Sequence, residues 1–132
     1  DALLKLADQA RQRTYQDTLR THKTRFMIRV GEKIRSVPVE EIMAFYSLER
    51  TSFLFTCEKR NYPVDYTMDE LETLLDPGRF FRVNRNYIIS INACSRIIAW
   101  SNSRLKIEVP DLDEQIVVAR ERVRDFKNWL DQ

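Results

Sequence analysis

From Arg25 onward the sequence falls into short apolar runs of alternating pattern, each closed by polar or turn-forming residues, and this rhythm limits the possible folds most. The clearest run is 104–109, where Leu105, Ile107 and Val109 share one face of an extended chain and Arg104, Lys106 and Glu108 the other. Phe26, Ile28 and Val30 alternate with Met27 and Arg29. Gly31-Glu32 then offers a two-residue hairpin turn with glycine first, and Ile34 and Val37 continue a returning strand to Pro38. Further strands are predicted at 42–46, 52–57, 60–64, 80–83, 87–91, 96–100 and 115–118, with Ser101-Asn102-Ser103 turning between two of them. Helices interrupt this pattern twice. Thr67-Met68-Asp69-Glu70 has capping-box spacing, Leu71, Leu74 and Leu75 supply an apolar stripe, and Asp76-Pro77-Gly78 stops the helix. Val123, Phe126 and Leu130, with Trp129 nearby, mark a C-terminal helix. Many short strands with few helices predict a mostly β domain.

The 132 residues suit a single domain. Residues 1–24 read differently from the rest. Leu3, Leu6, Ala7 and Ala10 recur at helical spacing among Lys5, Asp8, Gln9, Arg11 and Gln12, before the polar stretch Thr21-His22-Lys23-Thr24. With Asp rather than Met in first place, this segment is expected to be a connector from an upstream domain, or else a plain helix docked on this one, leaving 25–132 as the folded unit. Cys57 and Cys94 have no C-x-x-C partner and are expected to be buried small apolar residues of a reduced, cytoplasmic protein. No apolar run approaches the roughly 20 residues of a membrane span, so no membrane is expected among the partners.

The residue types that catalysis draws on are scarce. Gly31 and Gly78 are the only glycines, which leaves no glycine-rich phosphate loop, and His22, the only histidine, lies in the polar connector. No His/Cys cluster has zinc spacing. Neither a cofactor nor a metal nor an enzymatic activity is expected. Charge is more informative in its placement than in its sum of +2. The stretch 79–106 holds Arg79, Arg82, Arg85, Arg96, Arg104 and Lys106 with no acid, whereas 65–76 holds Asp65, Asp69, Glu70, Glu72 and Asp76 with no base. Such segregation can build one electropositive face on a nearly neutral domain, as phosphate binding requires, or it can mark solvated faces of unrelated strands.

Ordered blocks of the sequence narrow this choice. Val39-Glu40-Glu41-Ile42 with Phe45-Tyr46 comes first, followed by Tyr66-Thr67 through Leu71-Glu72. Leu75-Asp76-Pro77 leads into Arg79-Phe80-Phe81-Arg82-Val83-Asn84-Arg85. Tyr87-Ile88-Ile89, Ile91-Asn92 and Val118-Ala119-Arg120 with Val123 complete the series. Spread over about 26–131, these blocks resemble the LytTR (LytR/AlgR-type) DNA-binding domain of bacterial response regulators. The resemblance implies about ten strands in three small sheets with two short helices, and duplex DNA as partner, read by loops at the sheet edges rather than by a helix-turn-helix. It also implies an upstream receiver domain in the same chain, phosphorylation there, and a homodimer on paired DNA sites.

Carried over residue by residue, the resemblance places the DNA contacts in three segments. These are a loop of Glu49-Arg50-Thr51-Ser52 with Phe53, the segment Asn84-Arg85-Asn86, and the Arg120-Glu121-Arg122 lead into the last helix. The residue types fit. Arg85 has a donor fork matching guanine O6 and N7, and Asn84 or Asn86 can pair adenine. Arg50, Thr51, Ser52 and Arg122 can bind phosphate oxygens. Taken alone, Asn84-Arg85-Asn86 reads equally as a polar turn between strands. Arg79 and Arg82 can instead brace the fold through carboxylates of the capped helix. Phe55, Phe80, Phe81, Tyr87 and Trp100 are expected in the core. Two residues depart from the family pattern: Glu121 stands where a base is frequent, and Phe53 stands where a polar reader can occur. A β-rich module binding a protein partner or single-stranded nucleic acid through its basic strip is the alternative reading.

Overall fold

The computed structural model describes residues 22–132 apart from 95, 102, 103, 111, 113 and 114, and it leaves out the Trp100 side chain. Most of the expected connector, 1–21, therefore lies outside the described residues, as does most of the Ser101-Asn102-Ser103 turn. Ten strands in three antiparallel sheets carry the described chain, as the alternating pattern anticipates. A hairpin pairs β1 (Arg25–Val30) with β2 (Lys33–Pro38). The central sheet has five strands in the order β5-β4-β3-β7-β6. They are β3 (Ile42–Leu48), β4 (Thr51–Thr56), β5 (Asn61–Val64), β6 (Phe80–Asn84) and β7 (Tyr87–Ser90). The third sheet joins β8 (Arg96–Ser101), β9 (Arg104–Glu108) and β10 (Ile116–Val117). The helices are α1 (Met68–Leu74) and α2 (Val123–Leu130).

Parity along the central strands explains why both faces of the middle sheet are covered. Phe45, Leu54 and Ile88 align across β3, β4 and β7 and pack under the β1–β2 hairpin and α1, with Phe26, Val37, Met68 and Leu71. The neighbouring row, Ala44, Phe55 and Ile89, faces the other way, toward Leu105, Ile107 and Ile116 of the third sheet and toward Phe126 of α2. A bulge between Ile42 and Ala44 resets the alternation so that Ile42 still joins the first cluster. Both clusters exclude water from large side chains, worth roughly 1.5–3 kcal/mol for each one fully buried. The expected face of 104–109 is observed, with Leu105, Ile107 and Val109 all buried.

Burial departs from the simple apolar pattern at several places, each for a local reason. Ile34 and Val37 are three residues apart on a strand and point to opposite faces, so Val37 is buried while Ile34 is 63% exposed. Val30 shares the parity of Phe26 and Ile28 but flanks the turn at the hairpin tip, outside the cluster, and is exposed. On α2 the buried residues are Val123, Phe126 and Trp129, whereas Leu130 is half-buried. On α1, Met68 joins Leu71 in the core, and Leu74 is half-buried. Phe81 and Tyr87 are half-buried at the margin of the second cluster, whereas Phe55 is buried within it and Phe80 within the first. Cys57 is not buried: β4 ends at Thr56, and Cys57 sits exposed in the following turn. Cys94 is half-buried, burial pushes its thiol pKa up to about 11, and both thiols are free.

A hairpin turn and a helix start follow the local sequence directly. Gly31 takes a φ of 64° in the β1–β2 turn, as a glycine-first hairpin requires. The capping box on α1 is complete: Thr67 Oγ1 accepts from the Glu70 amide at 3.1 Å, and Glu70 Oε1 accepts from the Thr67 amide at 3.3 Å.

Candidate nucleic-acid interface

The β3–β4 connection, which the resemblance draws as a loop of Glu49-Arg50-Thr51-Ser52 with Phe53, is a two-residue turn. Leu48 pairs directly with Thr51, so Glu49 and Arg50 alone make the reversal, at φ of 50° and 68°. Two successive positive φ values match the type I′ geometry that suits the twist of a hairpin. Neither residue is glycine or asparagine, so each is held in a conformation that costs an L-residue roughly 1–2 kcal/mol. Both side chains are exposed. Thr51 is exposed at the start of β4, but Ser52 is 6% exposed and faces the first cluster, opposite Ser47 and Val64. Its hydroxyl is not presented for an external phosphate. Phe53 is half-buried and stacks on Tyr46 at 5.3 Å.

The β6–β7 turn lies at the same end of the sheet. Strands β3 and β7 are antiparallel with Tyr46 opposite Tyr87, and the Ser47 amide donates to the Asn86 carbonyl at 2.9 Å. The Glu49-Arg50 and Arg85-Asn86 turns therefore project from one edge, one strand pairing apart. A bulge between Arg82 and Asn84 shapes the second turn. Here the two asparagines divide their roles. Asn84 Oδ1 accepts from the Asn86 amide at 2.8 Å, and its Nδ2 donates to the Val117 carbonyl at 2.8 Å. Both ends of the Asn84 amide are committed to the fold, while Asn86 is exposed. Arg85 is exposed and has no ion pair among the described residues.

The third segment folds against the second. The Ala119 amide donates to the Val83 carbonyl at 2.8 Å, and Arg120–Arg122 forms a single 3-10 turn leading into α2. Helix α2 is anchored behind it. Phe126 and Trp129 pack on Phe81 at 5.6 and 5.4 Å, and Trp129 Nε1 donates to the Pro77 carbonyl at 2.8 Å. Arg82, Asn84, Arg85, Ala119, Glu121 and Arg122 together line a shallow recess. The second and third segments thus meet, with the first beside them at the same end of the sheet. Arg120 and Glu121 are exposed, and Arg122 is partly so.

Arg82 and Arg79 brace the structure, by different routes. Arg82 Nη1 binds Asp69 and Glu72 of α1, the latter at 2.9 Å, and its Nη2 donates to the Arg85 carbonyl at 2.8 Å. Burial works against its charge, but the bonds to Asp69 and Glu72 outweigh that and raise its pKa. Arg79 pairs with Glu40 at 3.1 Å rather than with the capped helix. The Arg82 contacts fall on carboxylates of the capped helix, as expected, and Glu72 is one of the two. Asp69 and Glu72 stand three apart on the helix and so share the face that meets Arg82. Among the described residues, no group of three or more His, Cys, Asp and Glu side chains could hold a metal ion, and no helix is long and apolar enough to cross a membrane.

Comparison with known proteins points to one family. The pattern of the LytTr DNA-binding domain matches residues 32–131. Over 99 residues the chain is 27% identical to the transcriptional regulatory protein YpdB of Escherichia coli strains K12 and CFT073 and of Shigella flexneri. That match takes in 75% of this chain but 40% of those relatives' length. Among solved structures, the LytTr DNA-binding domain of a putative methyl-accepting/DNA response regulator from Bacillus cereus superposes with a TM-score of 0.71 at 19% identity. It covers 82% of this chain and 97% of that one.

Proposed function

The chain belongs to the LytTr DNA-binding domain family, and from that membership we propose that it binds duplex DNA at a preferred sequence and regulates transcription as the output element of a response regulator. The supporting observation is that the Arg85-Asn86 and Arg120–Arg122 turns meet in one recess, with the Glu49-Arg50 turn beside them on the same sheet edge. In this reading Arg85 takes guanine O6 and N7, and Asn86, whose neighbour Asn84 is tied into the fold, takes adenine. Arg50, Thr51, Arg120 and Arg122 sit on phosphates and set the register, and Glu121 accepts from a cytosine amino group. An upstream receiver, a homodimer on paired sites and a cytoplasmic location complete the reading. The size of the YpdB relatives, of which the chain spans 40%, supports the first of these.

The aromatic row across the sheet favours a duplex over a single strand. Phe53, Tyr46 and Tyr87 stack in a row at 5.3 and 6.0 Å and are all half-buried, so both faces of Tyr46 and one face each of Phe53 and Tyr87 are turned to a neighbouring ring. Sequence-tolerant binding of single strands needs such faces open for bases. The test is selection of bound duplexes from a random pool, then competition between the selected duplex, its scrambled version and the corresponding single strand. The expected result is a preference for the selected duplex that persists against a large excess of scrambled DNA. Tighter binding to the single strand would overturn the reading.

A further inference from the structure

Glu72 joins the two turns that form the recess. Its Oε2 accepts from Arg82 Nη1 at 2.9 Å, and its Oε1 lies 3.8 Å from Arg122 Nη1. Each arginine in turn grips backbone. Arg82 Nη2 donates to the Arg85 carbonyl at 2.8 Å, and Arg122 Nη1 donates to the Arg82 carbonyl at 3.2 Å. The Arg85-Asn86 turn and the Arg120–Arg122 turn are therefore referred to a single carboxylate on α1. The two ion pairs differ in kind. Arg82 has a side chain 12% exposed, whereas Arg122 and Glu72 are about equally open, at 40% and 41%. The first is a sheltered brace, and the second is a loose restraint that water screens.

We propose that Glu72 is a positioning residue that determines specificity, by fixing the spacing of the two turns and by drawing Arg122 away from indiscriminate phosphate contact. The inference rests on the duplex reading above. A carboxylate next to a basic surface weakens attraction to every polyanion alike. A preferred site restores the loss through base-edge hydrogen bonds made by turns held at the correct distance, and a random duplex cannot. Glu72 thus lowers affinity for wrong partners more than for the right one, which raises discrimination.

The substitution Glu72→Gln keeps the shape and an acceptor for Arg82 but removes the charge. Binding of the whole chain to the selected duplex and to a scrambled duplex of equal length is measured across a salt series, with thermal melting in parallel. In Glu72→Gln, scrambled-duplex affinity is expected to rise, with a salt slope steeper by about one phosphate equivalent. The selected-to-scrambled ratio is expected to fall about tenfold, the scale of one well-placed contact. Arg82→Lys keeps the charge but cannot reach the carboxylates and the Arg85 carbonyl together. It is expected to lose the ratio with an unchanged slope, and it serves as the test if Glu72→Gln fails to fold. An unchanged ratio, or equal weakening on both duplexes with an unchanged slope, would overturn the inference while leaving the duplex reading intact. A wild-type chain without any duplex preference would overturn both.

Discussion

Arg85 and Asn84 are adjacent in sequence and opposite in role. Asn84 spends its amide on Val117 and Asn86, whereas the Arg85 guanidinium projects into solvent and only its carbonyl is held, by Arg82. Replacement of Arg85 by alanine is therefore expected to leave folding within about 0.5 kcal/mol, as for an exposed site without special contacts. On the selected duplex it should cost about 1–3 kcal/mol and relax preference at one base position. Binding measured on single-base variants of the site checks this, and a uniform loss on every variant would place Arg85 on phosphate instead. At this scale the sequence was partly readable. The donor fork of Arg85 follows from its residue type. The commitment of Asn84 depends on a carbonyl 33 positions away, which no local pattern encodes. Ser52 shows the same limit, since its burial follows from the register of β4 between β3 and β5.

Strands and helices were more legible than the turns joining them. Alternation and a capping box are local signals with a direct physical cause, so all ten strands and both α-helices among the described residues had counterparts in the sequence. The β3–β4 turn escaped because its sequence, Glu49-Arg50, lacks the glycine or asparagine that usually announces positive φ. Tertiary pairing of Leu48 with Thr51 imposes the conformation that the residues themselves disfavour. Replacing Glu49-Arg50 by Asn-Gly should then raise folding stability by about 1 kcal/mol, because the new pair adopts the turn without strain. The same change should weaken duplex binding and lower the salt slope by about one phosphate equivalent, through loss of Arg50. Urea midpoints and salt-dependent binding would record these opposite movements. Stability and affinity falling together would show that Glu49 and Arg50 support the fold.

At the scale of the whole molecule, one sheet serves two cores. Leu54 and Phe55 are neighbours on β4, yet one belongs to the cluster under α1 and the other to the cluster under α2. Such sharing predicted itself poorly from sequence, because alternation tells which residues share a face but not what covers it. Its energetic consequence is cooperativity. Phe126→Ala, emptying a fully buried site in the second cluster, is expected to cost about 3–5 kcal/mol. Leu54→Ala in the first should cost about 2–5 kcal/mol. In both variants, tryptophan fluorescence and far-ultraviolet circular dichroism should trace a single, superimposable urea transition. Separate transitions would mean that the two faces melt independently.

Pro63 sits on the outermost strand of that sheet, exposed and opposite Phe53. Proline carries no amide hydrogen, so this border cannot offer an unbroken ladder to a visiting strand. Two copies brought side by side therefore cannot fuse their central sheets into one continuous ribbon across this border.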